Sequence, residues 1–193
     1  MDAICLATNN AHKIEEIQAK LGHRFRLLSL AEVGCHEELP ETTGTIPGNS
    51  QQKAMYVFSK YGIACVADDS GLEISFLNGA PGVHSAYYAG PQRSHADNIK
   101  RVLQELYGAP NREARFRTVL TWASAGGVRQ FEGVLPGCII DQPRGTHGFG
   151  YDPIFLPEGD TRTLAELSME EKNAISHRAQ AVQKWVNFLS SGV

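Results

Sequence analysis

The chain has 193 residues, of which 42% are hydrophobic and 20% charged, as in an ordinary globular protein, and a single domain spanning 1–193 is expected. The formal net charge of -3 argues against broad nucleic-acid binding, which usually needs a basic excess. It does not argue against a small phosphate-bearing ligand, which needs only a few local cations. No apolar run reaches the ~20 residues that cross a bilayer, and no basic leader is evident, so a cytoplasmic protein without membrane contact is expected.

The four cysteines are scattered, without a C-x-x-C pair or a histidine at metal-ligand spacing. Cys5 and Cys65 lie in apolar, strand-like runs, so we interpret them as buried, reduced thiols. The histidines other than His177 show no H-x-x-x-H or similar spacing, and no metal role is assigned to them.

Apolar spacing and Pro/Gly punctuation predict the elements of the first half of the chain. In order, these are a strand over 3–7, a helix from Ala11 to Gly22, a strand over 25–30, a loop over 40–48, a helix over 49–61 and a strand over 63–67. The D-D-S-G sequence at 68–71 is expected to form a turn that leads into a return strand over 72–77.

The second half begins with a loop at N-G-A-P-G-V-H, followed by a helix that Ser94 and Asp97 cap. A hairpin over 116–123 and 128–135, a short strand over 138–141 and a glycine-dense loop over 143–153 follow. Ser168 and Glu171 cap a short helical turn before a C-terminal helix. Strands and helices alternate early and a hairpin block comes later, which predicts an α/β fold with a mixed sheet.

The T-N-N-A-H-K sequence at 8–13 follows the first predicted strand and opens a helix. Free N–H groups at such a junction can bind phosphate, with Lys13 as a point charge, although a plain helix cap with a solvated Lys13 would have the same sequence. The sequence contains no G-x-x-x-x-G-K-[ST] P-loop, and Gly148-Phe149-Gly150 is not followed by the third glycine of a dinucleotide-binding fingerprint.

Two adjacent carboxylates, Asp68 and Asp69, follow a buried-looking run, and burying two like charges is unfavourable. Either they lie in a solvated turn, or they hold a hard divalent cation such as Mg²⁺ or Mn²⁺ beside a substrate phosphate. A third carboxylate would come from Glu41, with Glu37 and Glu38 as alternatives.

Two further segments combine aromatic, glycine and charged residues. Phe149 lies between two glycines, an arrangement that suits stacking on a flat base, or else it packs into a core under a surface loop. The E-K-N-A-I-S-H-R segment at 171–178 either converges on a ligand or forms a solvated charged face.

Taken together, five motifs resemble the inosine triphosphate pyrophosphatase family, in the family's order and over nearly the whole chain. They are T-N-N-x-x-K, D-D-S-G-L, G-A-P-G-V-H-S-A-x-Y-x-G, F-G-Y-D-P and E-K-N-A-I-S-H-R. The resemblance implies a mixed central sheet flanked by helices, in two lobes with the active site in the cleft between them, and a homodimer. It also implies hydrolysis of deaminated purine nucleoside triphosphates (ITP, dITP and XTP) to the monophosphate and pyrophosphate.

The resemblance further implies the roles of individual residues. Glu41 and Asp69 would bind Mg²⁺, or Mn²⁺ as a substitute, and Asp69 would activate the attacking water with Asp68 beside it. The substrate-binding residues would be Thr8, Asn9, Asn10, Ala11, His12, Lys13, Lys53 and Ser70 near the phosphates, and Phe149, Gly150, Tyr151, Asp152, Lys172, His177 and Arg178 around the base. An Arg178 donor at the purine O6 would disfavour ATP, whose 6-amino group is itself a donor.

The chain departs from the family pattern before the second helix. Where the family commonly reads E-N-A-x-x-K-A, this chain has glycine at Gly48, and its preceding loop is E-T-T-G-T instead of E-T-G. Three other functions stay open: a Maf-like pyrophosphatase acting on pyrimidine or modified nucleotides, a nucleotide sensor without turnover, and a phosphatase that releases orthophosphate.

Overall fold

The fold is α/β, as predicted, in a computed structural model that describes residues 3–21 and 25–191. The strands are β1 (Ala3–Leu6), β2 (Arg26–Leu28), β3 (Cys65–Ile74), β4 (Glu113–Ser124), β5 (Gly127–Ile139) and β6 (Phe155–Pro157). The α-helices are α1 (Ala11–Leu21), α2 (Ile46–Tyr61), α3 (His95–Glu105), α4 (Met169–Ile175) and α5 (His177–Ser190). None of these helices is both long and apolar enough to span a membrane.

All six strands form one mixed sheet in the order β2-β1-β3-β4-β5-β6. β1 is parallel to β2 and to β3, whereas β5 and β6 are antiparallel. β4 and β5 are neighbours that a turn at Ala125 and Gly126 joins, which confirms the predicted hairpin. The predicted mixed sheet with flanking helices is therefore confirmed.

The chain divides into two compact units, each with its own core. The first unit comprises Met1–Asp69, Thr118–Gly133 and Arg178–Val193, and the second comprises Ser70–Arg117 and Val134–His177. Fully buried side chains of the first unit include Ile4, Ile17, Leu120 and Trp185, and those of the second include Leu72, Ile154, Phe155 and Leu164. Cys5 and Cys65 are free and buried, as predicted. The single domain over 1–193 stays a prediction.

The turn predicted at D-D-S-G is wrong, because β3 runs without interruption over Cys65–Ile74. Asp68 and Asp69 are only 1% and 8% exposed. Cationic side chains of the same unit offset their charges, so the backbone does not have to turn towards water to solvate them. The return strand predicted over 72–77 is instead the end of β3 followed by a 3₁₀ turn at Ser75–Leu77.

The loop predicted over 40–48 is too long, because α2 begins at Ile46. The Thr45 hydroxyl accepts a hydrogen bond from the Gly48 N–H at 3.1 Å and caps the helix. Pro47 is tolerated in the first turn, where its missing N–H would have had no helical partner. Gly62 ends the helix in the left-handed conformation, with φ of 66°, as its position predicted.

Two strand boundaries also differ from the prediction. β2 stops at Leu28, because the Ser29 N–H and hydroxyl both bond to the Glu32 carboxylate in the turn that follows. The separate strand predicted over 138–141 is the end of β5, since β6 continues the pairing as far as Ile139.

The helix predictions hold within about one turn. α1 ends at Leu21, and its predicted end at Gly22, like His23, lies outside the described residues. Ser94 caps α3 by accepting from the Asp97 N–H, and Ser168 and Glu171 cap α4 reciprocally, as predicted.

Ser50 links α2 to the sheet and provides a stability test. Its fully buried hydroxyl lies 3.1 Å from the Ala67 carbonyl, 2.9 Å from the Val119 carbonyl and 2.8 Å from the Thr121 hydroxyl. We expect Ser50→Ala to lower the free energy of unfolding by about 1–3 kcal/mol, because buried polar groups lose their partner. Urea denaturation measures this, and Ser59→Ala on the exposed side of the helix should not destabilise. Equal stability of the two variants would contradict the assignment.

Candidate active site

In the first unit, the segment between β1 and α1 is organised as a helix start. The Asn10 side chain accepts a hydrogen bond from the Lys13 N–H at 3.3 Å, and the Asn10 N–H donates to the Thr8 hydroxyl at 3.2 Å. Asn9, Asn10, Ala11 and His12 are exposed, and Thr8 is half-buried. The segment therefore presents polar side chains to solvent at the N-terminus of a helix, a setting that suits phosphate.

The parallel pairing of β1 with β3 brings this segment close to the aspartates. Leu6 lies opposite Val66, so Thr8 and Asp68, two residues further along each strand direction, are at the same level. Lys13, from the first turns of α1, forms an ion pair with Asp68, whose side chain is fully buried. The alternative of a solvated Lys13 is therefore wrong.

Asp68 has a separate cation on each carboxylate oxygen. Lys13 donates to Oδ1, and the Arg178 Nε donates to Oδ2 at 3.1 Å. Burial opposes ionisation of Asp68, but the charges of Lys13 and Arg178 outweigh it and hold its pKa well below the usual range. Asp68 is therefore a fixed negative charge whose oxygens are already engaged.

The prediction from sequence missed Glu16. This residue is 8% exposed on α1, and its carboxylate pairs with Arg178 Nη1. Its only signal in the sequence is its spacing of one turn after Lys13 on the same helix. Glu16 and Asp68 together neutralise the buried Lys13 and Arg178.

Asp69 is in a different electrostatic environment. Lys53 from α2 donates to the Asp69 Oδ1 at 3.3 Å, to the Asp68 carbonyl at 2.9 Å and to the Glu41 carboxylate. Burial would lower the pKa of Lys53, but Asp69 and Glu41 outweigh it and raise that pKa. For Asp69, burial dominates over the nearby lysines and raises its pKa to about 6.

The environment of Asp69 fits a divalent cation. Its second oxygen, Oδ2, is buried and accepts no hydrogen bond from any described residue. Glu41 shares Lys53 with it, so a second carboxylate is at hand. Within 3–21 and 25–191, no three His, Cys, Asp or Glu side chains are grouped so that they could hold a metal ion by themselves. Mg²⁺ often binds one or two carboxylates together with substrate phosphates and water, which matches this donor set.

Glu37 belongs to a different cluster. It accepts hydrogen bonds from the hydroxyls of Tyr56 and Tyr61 and from the Lys60 ammonium group. This leaves Glu41 as the carboxylate that the structure brings to Lys53 and Asp69, while Glu38 is exposed.

In the second unit, one carboxylate oxygen organises the aromatic loop. The Asp152 Oδ2 accepts from the Phe149 N–H at 2.9 Å and from the Lys172 ammonium at 2.8 Å. A Cβ on Gly148 would lie 2.1 Å from this oxygen, and φ at Gly148 is 75°, so glycine is required there. The ammonium of Lys172 also lies 4.9 Å from the centre of the half-buried Phe149 ring.

Two other predicted base-site residues are buried in the second unit. His177 stacks on Phe116, with ring centres 4.8 Å apart and planes at 10°. Tyr151 is only 4% exposed, and its hydroxyl donates to the Ser85 carbonyl at 2.9 Å, so it packs in the core of this unit, and its contact with the base stays a prediction. The Gly150 N–H points towards His95 Nδ1 at 3.4 Å.

The predicted site residues therefore form one group in each unit. In the first are Thr8 to Lys13, Glu41, Lys53, Asp68, Asp69 and Arg178, and in the second are Phe149, Gly150, Asp152, Lys172 and His177. Ser70 follows Asp69 in β3 and begins the second unit. The first group has the charges of a phosphate and metal site, and the second presents an aromatic ring beside a lysine.

Comparison with known proteins identifies relatives that match nearly the whole chain. A profile of the Ham1 family matches residues 4–188. The dITP/XTP pyrophosphatase of Flavobacterium psychrophilum is 47% identical over 97% of this chain and 99% of its own. The dITP/XTP pyrophosphatase of Porphyromonas gingivalis is 46% identical, with 98% of each chain covered.

Solved structures agree over the full length. The Ham1 protein of Staphylococcus aureus has a TM-score of 0.93 and 34% identity, with 100% of both chains covered. A HAM1 protein from Coxiella burnetii has a TM-score of 0.92 and 38% identity, again with 100% coverage of both. The resemblance indicated by the five motifs is thereby confirmed, and the chain belongs to the Ham1 family.

Proposed function

We propose that this chain hydrolyses deaminated purine nucleoside triphosphates (dITP, XTP and ITP) to the monophosphate and pyrophosphate. The observation that carries the proposal is the contrast between two adjacent aspartates. Asp68 has a cation on each oxygen, whereas Asp69 keeps one buried oxygen without a donor among the described residues. The Asp68 carboxylate therefore has a structural role, and the Asp69 carboxylate is available for catalysis. The relatives named dITP/XTP pyrophosphatase supply the substrate class.

We assign the triphosphate to the segment from Thr8 to Lys13 and to Lys53. Expulsion of pyrophosphate builds negative charge on the leaving group, and two lysines with helix N-terminal amides would stabilise it. Lys53 carries a raised pKa next to Asp69 and Glu41, so its charge persists across the neutral range. Ser70, which follows Asp69 in β3, would contact the substrate from the adjoining position.

We assign Glu41 and Asp69 as the ligands of a divalent ion, Mg²⁺ in the cell with Mn²⁺ as a substitute. A bound divalent ion neutralises phosphate charge and makes a water easier to deprotonate. With its pKa raised to about 6 by burial, Asp69 is a carboxylate at neutral pH and can accept a proton from the attacking water.

Base recognition falls to the second group. Phe149 would stack on the purine, Lys172 and Asp152 would border it with the Gly150 amide, and His177 would complete the pocket. Tyr151 supports this loop from the core. Arg178 already donates to Asp68 and Glu16. Its contact with the purine O6 stays a prediction, and Arg178 would have to exchange one of these partners to make it.

The deciding experiment is product analysis. The chain would be incubated with dITP, XTP, ITP, ATP, GTP and dTTP, with and without Mg²⁺, and the products separated by ion-exchange chromatography. Monophosphate plus pyrophosphate from the 6-keto deaminated purines, dependent on metal, is the expected result. Preference for dTTP would indicate a Maf-like enzyme, orthophosphate a phosphatase, and tight ITP binding without products a sensor.

The stacking role of Phe149 has its own test. We expect Phe149→Leu to lower kcat/KM for dITP by about 10-fold or more, because stacking on an aromatic ring contributes about 1–3 kcal/mol per base. The loss should appear mainly in KM. The matched control is Phe76→Leu, since Phe76 is 45% exposed in the same unit. A Phe149→Leu enzyme with the KM of the parent would remove Phe149 from the base site.

We also propose that the chain forms a homodimer and acts in the cytoplasm, without nucleic acid or membrane as a partner. The proposed substrates support the location, because they are free nucleotides, which are small molecules of the cytoplasm. The dimer rests on the family resemblance, and sedimentation velocity measures it directly.

A further inference from the structure

The segment from Glu41 to Thr45, where the chain departs from the family pattern, lies along the start of α2. Contacts with α2 hold it at successive positions. They join Glu41 to Lys53, Thr42 to Gln52, Thr43 to Asn49 and Thr45 to Gly48. The segment is thus attached along its length, although it contains no helix or strand.

The most regular of these contacts is the one between Thr42 and Gln52. The Thr42 N–H donates to the Gln52 Oε1 at 2.8 Å, and the Gln52 Nε2 donates back to the Thr42 hydroxyl at 2.8 Å. Two opposed hydrogen bonds to one residue fix both its position and its orientation. The residue before Thr42 is Glu41, so Gln52 restricts where the Glu41 carboxylate can lie.

Asn49 fixes the next residue from a buried position. Its side chain, on a residue only 4% exposed, accepts from the Thr43 N–H at 3.1 Å and from the Thr43 hydroxyl at 2.9 Å. Thr43 in turn occupies the space above Gly48. A Cβ on Gly48 would lie 2.3 Å from the Thr43 Oγ1 and 2.7 Å from its Cβ. The glycine at 48 therefore leaves the space that the Thr43 side chain occupies.

We propose that Gln52 and Asn49 are positioning residues for Glu41, and that Gly48 leaves the room that Thr43 needs for this arrangement. The proposal rests on the proposed function only in taking Glu41 as a metal ligand. Glu41 is partly exposed on an irregular segment, and an untethered carboxylate there would lose conformational freedom on binding metal. Residues that hold a ligand in place commonly change metal affinity by 10–100-fold when replaced.

The test replaces Gln52 by methionine, which keeps the length of the side chain and removes both hydrogen bonds. Binding of Mn²⁺ alone to the full chain would be followed by electron paramagnetic resonance of the free ion. We expect Gln52→Met to bind Mn²⁺ about 10-fold more weakly, with an unchanged free energy of unfolding in metal-free buffer. The matched control is Gln51→Met, the same change at the neighbouring exposed position, which should bind as the parent does.

A second variant tests the room above Gly48. Helix propensity alone predicts that Gly48→Ala should stabilise α2. The proposal predicts instead that the added Cβ displaces Thr43 and weakens Mn²⁺ binding about as much as Gln52→Met does. Gly126→Ala, at a turn where an added Cβ meets only the Ser124 Oγ at 3.6 Å, is its control.

Parent-like Mn²⁺ affinity in both Gln52→Met and Gly48→Ala would overturn the proposal. If Glu41→Gln still weakens Mn²⁺ binding in that case, the proposed metal ligand stands and only the positioning role is lost. If Glu41→Gln also binds as the parent does, the metal assignment in the proposed function fails with it. The two failures are therefore distinguishable.

Discussion

Replacing Asp69 by asparagine is expected to lower kcat/KM for dITP by about 10³-fold while leaving the protein folded. Asparagine has the same shape but cannot accept a proton from water, and general-base catalysis typically contributes 10²–10⁴-fold. Burial raises the pKa of Asp69 to about 6, so its charge opposes folding at neutral pH. The free energy of unfolding in metal-free buffer should therefore not fall, which separates loss of chemistry from loss of structure.

Initial rates of pyrophosphate release at pH 8, with saturating Mg²⁺, measure the first part of this prediction, and urea denaturation measures the second. Asp160→Asn is a suitable control, because Asp160 forms an ion pair with Arg162 and is not one of the proposed site residues. Activity of Asp69→Asn within about threefold of the parent would contradict the assignment of Asp69 as the base.

Replacing Asp68 by asparagine is expected to destabilise the protein by about 3–5 kcal/mol, the usual cost of breaking a buried ion pair by removing one partner. The protein is expected to tolerate the loss of charge at Asp69, but the same change at Asp68 would leave Lys13 and Arg178 without the carboxylate between them. The effect should grow as the pH rises from acid to neutral. Because the folded-state pKa of Asp68 is depressed, its contribution is present above the unfolded-state pKa and is lost as the pH falls.

A double-mutant cycle identifies the source of this loss. In Asp68→Asn with Lys13→Met, one uncompensated cation is removed together with the carboxylate, so the two effects should be less than additive by about 1 kcal/mol or more. Thermal or urea unfolding at pH 7 measures each corner of the cycle. Additive effects, or an Asp68→Asn variant as stable as the parent, would show that the ion pairs contribute little.

Much of the fold was predictable because its elements carry local signals. Apolar spacing located the helices, and Ser94 and Ser168 marked two of their starts by capping chemistry. The wrong predictions of secondary structure arose where tertiary contacts outweigh the local conformational preference of a residue. Pro47 suggested a loop but occupies a helical first turn, and D-D-S-G suggested a turn but lies within β3. The helical start at Pro47 depends on the Thr45 cap, and the strand at D-D-S-G depends on cations that are distant in the sequence.

The sequence indicated which residues belong to the site better than it indicated which of them pair with one another. Motifs identified Lys13, Asp68, Asp69 and Arg178. In the sequence, however, Asp68 lies 55 positions from Lys13 and 110 positions from Arg178, so only the fold brings these side chains together. Nothing in the local sequence indicates that Arg178 reaches Asp68, and the spacing of Glu16 from Lys13 does not show that Glu16 pairs with Arg178. Such pairings depend on which strands are neighbours, and this is a property of the whole chain.

The location of the two aspartates in an unbroken strand limits how this protein can change during evolution. Side chains alternate along a strand, so inserting or deleting one residue before Asp68 would exchange the surroundings of the two carboxylates. The segment from Glu41 to Thr45 has no such alternation, and contacts with α2 hold it instead. We therefore expect β3 to diverge among relatives by substitution alone, without insertions or deletions before Asp68.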